Sequence, residues 1–143
     1  MTRILFLCTR NASYSQMAEA LARARNEPGV EVVSAGISTA PLHPAAIQVM
    51  AESGIDISGY ASKSLADLPS QDFDVVITLC APAAEQCPIL PGHPEKVDWN
   101  LPDPADFKEK GDALLERFRG LREEIRRLVN DLFERGYLQA LTE

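Results

Sequence analysis

Residues 3–20 read RILFL, CTRNASYS and QMAEA in succession. Arg3–Leu7 is a short apolar run of the kind found in a strand buried on both faces. Cys8–Tyr14 is polar and small, so it reads as a loop. Ser15 is expected to cap a helix running from about Gln16 to Arg25, where Met17, Ala20, Leu21 and Ala24 recur at helical spacing. A short loop between a strand and a helix can turn its N–H groups inward, and the helix adds unpaired donors and a positive dipole end. Thr9, Arg10, Asn11, Ala12, Ser13, Tyr14 and Ser15 are therefore candidate oxyanion-binding residues. Cys8 opens the loop, where the same field is expected to lower its pKa and yield a nucleophilic thiolate. On spacing alone, a packed strand-end thiol is an equal reading.

The pattern continues outward from that unit. Val30–Ser34 (VEVVS) is a second strand, and a helix is expected from about Pro44 to Ser53, closed by Gly54. Ser58–Leu68 is loop with one short helix. Phe73–Leu79 (FDVVITL) is the strongest strand, and Lys96–Trp99 a short fourth one. Asn100–Pro104 (NLPDP) is a rigid loop. From Asp112 to about Leu141, Leu114, Leu115, Phe118, Leu121, Ile125, Leu128 and Leu132 mark a long amphipathic helix. The alternation predicts an α/β fold: one domain over residues 1–143, with a four-stranded parallel sheet flanked by helices. Such sheets bind ligands beyond the carboxyl ends of their strands. Cys8 and Cys80 both follow a strand, and Asn100–Pro104 follows the last one, so the three converge on one edge.

The 143 residues are 45% hydrophobic and 24% charged, with a net charge of -7. That balance argues against nucleic acid or an anionic membrane as partner. No apolar run approaches the ~18 residues of a membrane span, and the seven residues before Cys8 are too short for a signal peptide, so a cytoplasmic location is expected. Three cysteines are present. Cys80 and Cys87 lie seven residues apart, which on a helix is roughly 10 Å, beyond the ~7 Å a disulfide tolerates. Joining them requires a short helix bracketed by Pro82 and Pro88 to unwind. There is no C-x2-C pair, and neither His43 nor His93 has a ligand pattern nearby, so no metal or bound cofactor is expected.

CTRNASYSQMAEA (Cys8–Ala20), SAGI (Ser34–Ile37), GIDIS (Gly54–Ser58), TLCAPAAEQCP (Thr78–Pro88) and DPA (Asp103–Ala105) occur in an order that resembles the low-molecular-weight phosphotyrosine phosphatase fold. Within it, they resemble the thioredoxin-coupled arsenate reductases of arsenic resistance. The resemblance implies a relay. Cys8 attacks arsenate, Cys80 attacks Cys8 as arsenite leaves, and Cys87 then forms a Cys80–Cys87 disulfide that external thioredoxin reduces. It implies Asp103 as general acid, and Asn11 and Ser15 as residues that shape the loop. It also places Tyr14 where the family carries an arginine that grips two anion oxygens. Tyrosine offers one neutral donor there, and Arg10 is a candidate substitute. Asn11, Glu19 and Ser34 match three positions that bind potassium in some members; Lys63 holds the fourth, so no potassium requirement is expected. The alternatives are a tyrosine phosphatase, whose activity also fits as a weak side reaction, and a non-catalytic oxyanion-binding protein.

Overall fold

The computed structural model of the chain describes residues 2–92 and 94–134. Its elements are β1 (Thr2–Cys8), α1 (Tyr14–Arg25), β2 (Val30–Gly36), α2 (Pro44–Glu52), β3 (Val75–Cys80), α3 (Ala81–Gln86), β4 (Glu95–Leu101) and α4 (Gly111–Glu134). Single 3-10 turns occur at Leu65–Asp67 and Pro104–Asp106. The four strands form one parallel sheet in the order β2-β1-β3-β4, the α/β architecture expected from the sequence.

The strands are apolar because both sheet faces are covered. Side chains alternate along β1. Ile4, Phe6 and Cys8 join a large cluster with α1, α2 and α4, including Met17, Leu21, Val49, Met50, Phe118 and Ile125. Leu5 and Leu7 face the other way and pack with Ala35, Leu65, Phe73, Val76 and Leu90. From β1 the chain moves outward to β2, then returns past β1 to β3. The neighbouring carboxyl ends of β1 and β3 therefore lie where the connections part, the position at which parallel sheets hold ligands. Cys8 ends one of these strands and Cys80 the other.

Several boundaries differ from the sequence reading for physical reasons. The strand expected from Phe73 begins at Val75. Phe73 packs into the second cluster, and the Arg3 backbone N–H donates to the Asp74 carboxylate at 2.8 Å instead of extending the ladder. The helix expected after Ser15 begins at Tyr14, with Ser13 as its cap residue; Ser15 is buried and its hydroxyl is engaged elsewhere. In α2, His43 is the cap, its Nδ1 accepting from the Ala45 N–H at 3.0 Å. The terminal helix is described to Glu134, and the part expected beyond it lies outside the described residues. Among the described residues no helix is long and apolar enough to cross a membrane.

Candidate active site

The loop after β1 is held by side chains from four segments. Asn11 adopts φ 53°, a left-handed conformation that asparagine tolerates better than most residues. Its Oδ1 accepts from the Lys63 backbone N–H at 2.8 Å. That group can only donate, so the amide orientation is fixed. Asn11 Nδ2 then donates to Ser15 Oγ at 2.8 Å and to Ser34 Oγ at 3.0 Å. Ser15 Oγ is hydrogen-bonded to Cys8 Sγ, 2.8 Å away, and the Asn11 N–H donates to this sulfur at 3.0 Å. Gln16 closes the network, its Nε2 donating to Asn11 Oδ1 at 2.8 Å and to the Ala61 carbonyl at 3.0 Å. Gly36 permits this close approach: a Cβ there would meet the Arg10 carbonyl carbon and the Asn11 nitrogen at 2.7 Å, as well as the Ser38 carbonyl oxygen.

Hydrogen bonds at the sulfur favour its thiolate, yet Cys8 is only 5% exposed. Burial pushes the thiol above its ordinary value, and the opposing hydrogen bonds from Ser15, Asn11 and Arg10 do not overcome it. The depressed pKa expected from the sequence is thus not found, because the loop removes the sulfur from water more strongly than its donors compensate.

Cys8 sits in a cavity of about 450 Å³. Thr9, Arg10, Ala12, Ser13 and Tyr14 line it from the loop, Cys80 and Asp103 from the ends of β3 and β4, and Ala40–Pro44 form a largely apolar wall. Cys80 is buried, and its sulfur is 3.4 Å from Thr9 Oγ1. Arg10 is exposed at the rim. Tyr14 is 1% exposed, and its hydroxyl donates to the Pro102 carbonyl at 2.6 Å. The donor that the sequence reading offered to an anion is therefore directed at the loop carrying Asp103. Asn11 and Ser15 lie behind the loop rather than on the cavity wall.

Cys87 is not in this cavity. It follows α3 and packs against the cluster on the opposite face, lining a separate hollow of about 310 Å³ with Val76, Ile89, Leu90 and Lys96. Burial raises its pKa as well. Ile89 beside it is 89% exposed.

Behind the loop, Glu19 is 5% exposed and flanked by two cations: Arg23 Nε at 3.1 Å and Lys63 Nζ at 4.0 Å. Among the described residues no group of three or more His, Cys, Asp or Glu could hold a metal ion.

Gln16, Gly36 and the wall at residues 40–44 went unassigned in the sequence reading. A buried glutamine on an apolar helix face is a signal for Gln16. Gly36 and the wall carry no comparable signal, since a close approach is a property of two distant segments together.

Comparison with known proteins places this geometry. The profile described as low molecular weight phosphotyrosine protein phosphatase matches residues 3–142. An arsenate reductase of Halalkalibacterium halodurans is 38% identical over 133 residues, covering 93% of this chain and 96% of that protein. A solved arsenate reductase in its oxidized state superposes with a TM-score of 0.77 at 35% identity, covering 94% and 98% of the two chains. The YwlE arginine phosphatase of Geobacillus stearothermophilus gives 0.78 at 27% identity, covering 100% and 97%. A strand-end cysteine, its inward loop and an aspartate across one cavity thus sit on a sheet whose matches run almost end to end, and the chain belongs to the low molecular weight phosphotyrosine protein phosphatase family.

Proposed function

We propose that the protein reduces arsenate to arsenite through its three cysteines, with a thioredoxin-type dithiol as external reductant. The observation that carries this reading is the pairing of Cys8 and Cys80 on adjacent strand ends, lining one cavity with Asp103. A hydrolase needs Cys8 and the acid, whereas a second thiol in the same cavity is what a reductive step uses. Similarity to arsenate reductases over nearly the whole chain points the same way.

The chemistry balances as follows. Cys8 sulfur bonds to arsenic(V), its proton passing to the anion, while an arsenate oxygen leaves as water with a proton from Asp103. Cys80 attacks Cys8 Sγ; the sulfur–arsenic electron pair remains on arsenic, which departs as arsenic(III), and a Cys8–Cys80 disulfide forms. Cys87 displaces Cys8 from Cys80, leaving Cys80–Cys87 for reduction by exchange. The last exchange requires α3 to open, because Cys87 lies on the far face. Arg10 supplies the positive charge at the rim, and the loop from Thr9 to Ser15 supplies N–H donors. Lys63 neutralises Glu19, so potassium is not needed.

The test is arsenate-dependent NADPH oxidation with thioredoxin and its reductase, repeated with glutaredoxin and glutathione. Cys8→Ser, Cys80→Ser and Cys87→Ser should each abolish multiple turnover, Arg10→Ala should raise KM about tenfold or more, and replacing sodium by potassium should change nothing. A phosphatase is the second reading, favoured by the apolar cavity wall and the structural likeness to YwlE. Hydrolysis of an aryl phosphate that needs Cys8 alone, with no arsenate turnover, would establish it instead.

A further inference from the structure

Tyr14 and Asp103 lie 89 residues apart in sequence, yet one hydrogen bond ties their segments together. The Tyr14 ring is fully enclosed in the main cluster, so its hydroxyl has little freedom of position. That hydroxyl carries one proton, donated at 2.6 Å to the carbonyl of Pro102, the residue before Asp103. The surrounding loop has few other freedoms. Pro102 and Pro104 fix their own φ angles and restrict the residues before them. Asn100, inside β4, adopts φ 54° where the register against β3 shifts, just before the loop. On the other side, the Asp106 N–H donates to the Asp103 carbonyl at 3.0 Å and the Phe107 N–H to the Pro104 carbonyl at 3.1 Å. The Pro102 carbonyl is a point at which the segment is tied to the anion loop. Tyr14 makes that tie from the first turn of α1, directly beyond the loop that holds Cys8. Burial disfavours ionisation of the phenol most strongly, Arg117 opposes that effect, and Asp103 adds to it.

We propose that Tyr14 is a positioning residue for the acid: its hydroxyl holds the Pro102 carbonyl, and so the Asp103 carboxyl, against the cavity that contains Cys8, and it does not bind the anion. This rests on the assignment of Asp103 as proton donor in the proposed reduction. It gives the tyrosine a different task from the arginine whose place it takes. An arginine acts on the substrate, whereas this phenol acts on a second residue that acts on the substrate.

Tyr14→Phe removes one oxygen and keeps the ring. Arsenate turnover should be measured for wild type, Tyr14→Phe, Asp103→Asn and the double variant, with urea midpoints confirming that each is folded. We expect Tyr14→Phe to lower kcat about tenfold while KM stays within about twofold, a misplaced catalytic group being felt in rate rather than binding. In the Asp103→Asn background the same change should alter kcat by less than about twofold, since residues acting through one another are not additive. Equal losses in both backgrounds, with Asp103→Asn itself impaired, overturn the role of Tyr14 alone. Wild-type kcat in Asp103→Asn removes the proton-donor assignment, and the positioning role with it. Calorimetric titration with inorganic phosphate provides a readout free of turnover. Affinity unchanged in Tyr14→Phe supports the proposal, and a loss of about tenfold or more shows that Tyr14 grips the anion and refutes it.

Discussion

At the scale of single residues, Cys8, the proposed nucleophile, is governed by a contest between burial and hydrogen bonding. Cys8 is hydrogen-bonded to Ser15 and to the Asn11 N–H yet loses nearly all contact with water, and burial prevails. Burial holds its pKa above the ordinary thiol value, so the reactive thiolate grows with rising pH. In a variant with Cys80 and Cys87 both changed to serine, iodoacetamide alkylation of Cys8 should therefore keep accelerating above pH 9. A plateau below pH 8 would show that the loop donors dominate. Asn11 shows why the loop can be held this way: its amide is oriented by a backbone donor at Lys63, and Ser15 relays the result to sulfur.

Among the elements, α2 carries a pH-dependent link. His43 is half-buried, and desolvation lowers its pKa. Its neutral Nδ1 accepts from the Ala45 N–H, and its ring packs at 4.8 Å from Phe118. A lowered folded pKa means that the unfolded chain takes up more protons around the ordinary value of 6.5. The stabilisation is complete above that value and is lost as pH falls below it. Thermal midpoints measured from pH 7.5 to 5 should decline, and His43→Asn, which keeps a capping acceptor, should show a shallower decline. An unchanged slope would place the effect elsewhere. The elements were legible where local pattern and tertiary demand agree. The run Ile4–Leu7, the strand through Val75–Leu79 and the leucine spacing of α4 each read correctly, because a buried strand must be apolar and an amphipathic helix periodic. The start of α1 did not. Ser15 resembles a cap in one dimension, but the folded loop spends its hydroxyl on sulfur. The convergence of Cys8, Cys80 and Asp103 was legible from topology. The hydrogen bond from Tyr14 to Pro102 was not, since nothing local to either residue announces it.

For the whole molecule, Phe118 joins parts that are distant in sequence. It is fully buried, with His43 on one side and Phe107 on the other at 6.0 Å. It connects α4 to the cavity wall and to the segment following the acid loop. Phe118→Ala should destabilise the fold by about 3–5 kcal/mol, a substantial part of a typical domain's total, and shift the urea midpoint downward by about 2 M. A shift under about 0.5 M would show that the site collapses around the missing ring. The charged side chains that join α4 to α2, Arg119 and Arg122 on Glu52, are partly exposed and contribute far less individually.

Strand parity bears on the proposed relay. Val75, Ile77 and Leu79 face the cluster of α1 and α4, while Val76 faces the other, so Cys80 falls on the parity of Val76, whose cluster Cys87 packs against. Cys8 has the opposite parity. The register of β3 against β4 shifts between Thr78 and Cys80, at the last rung of the ladder. Cys80 thus stands at the rim, touching the chamber of one face while belonging to the side of the other. Oxidising equivalents would travel around the edge of the sheet, with Cys80 as the pivot, so that oxyanion and protein reductant are served on opposite sides of a wall that neither has to cross.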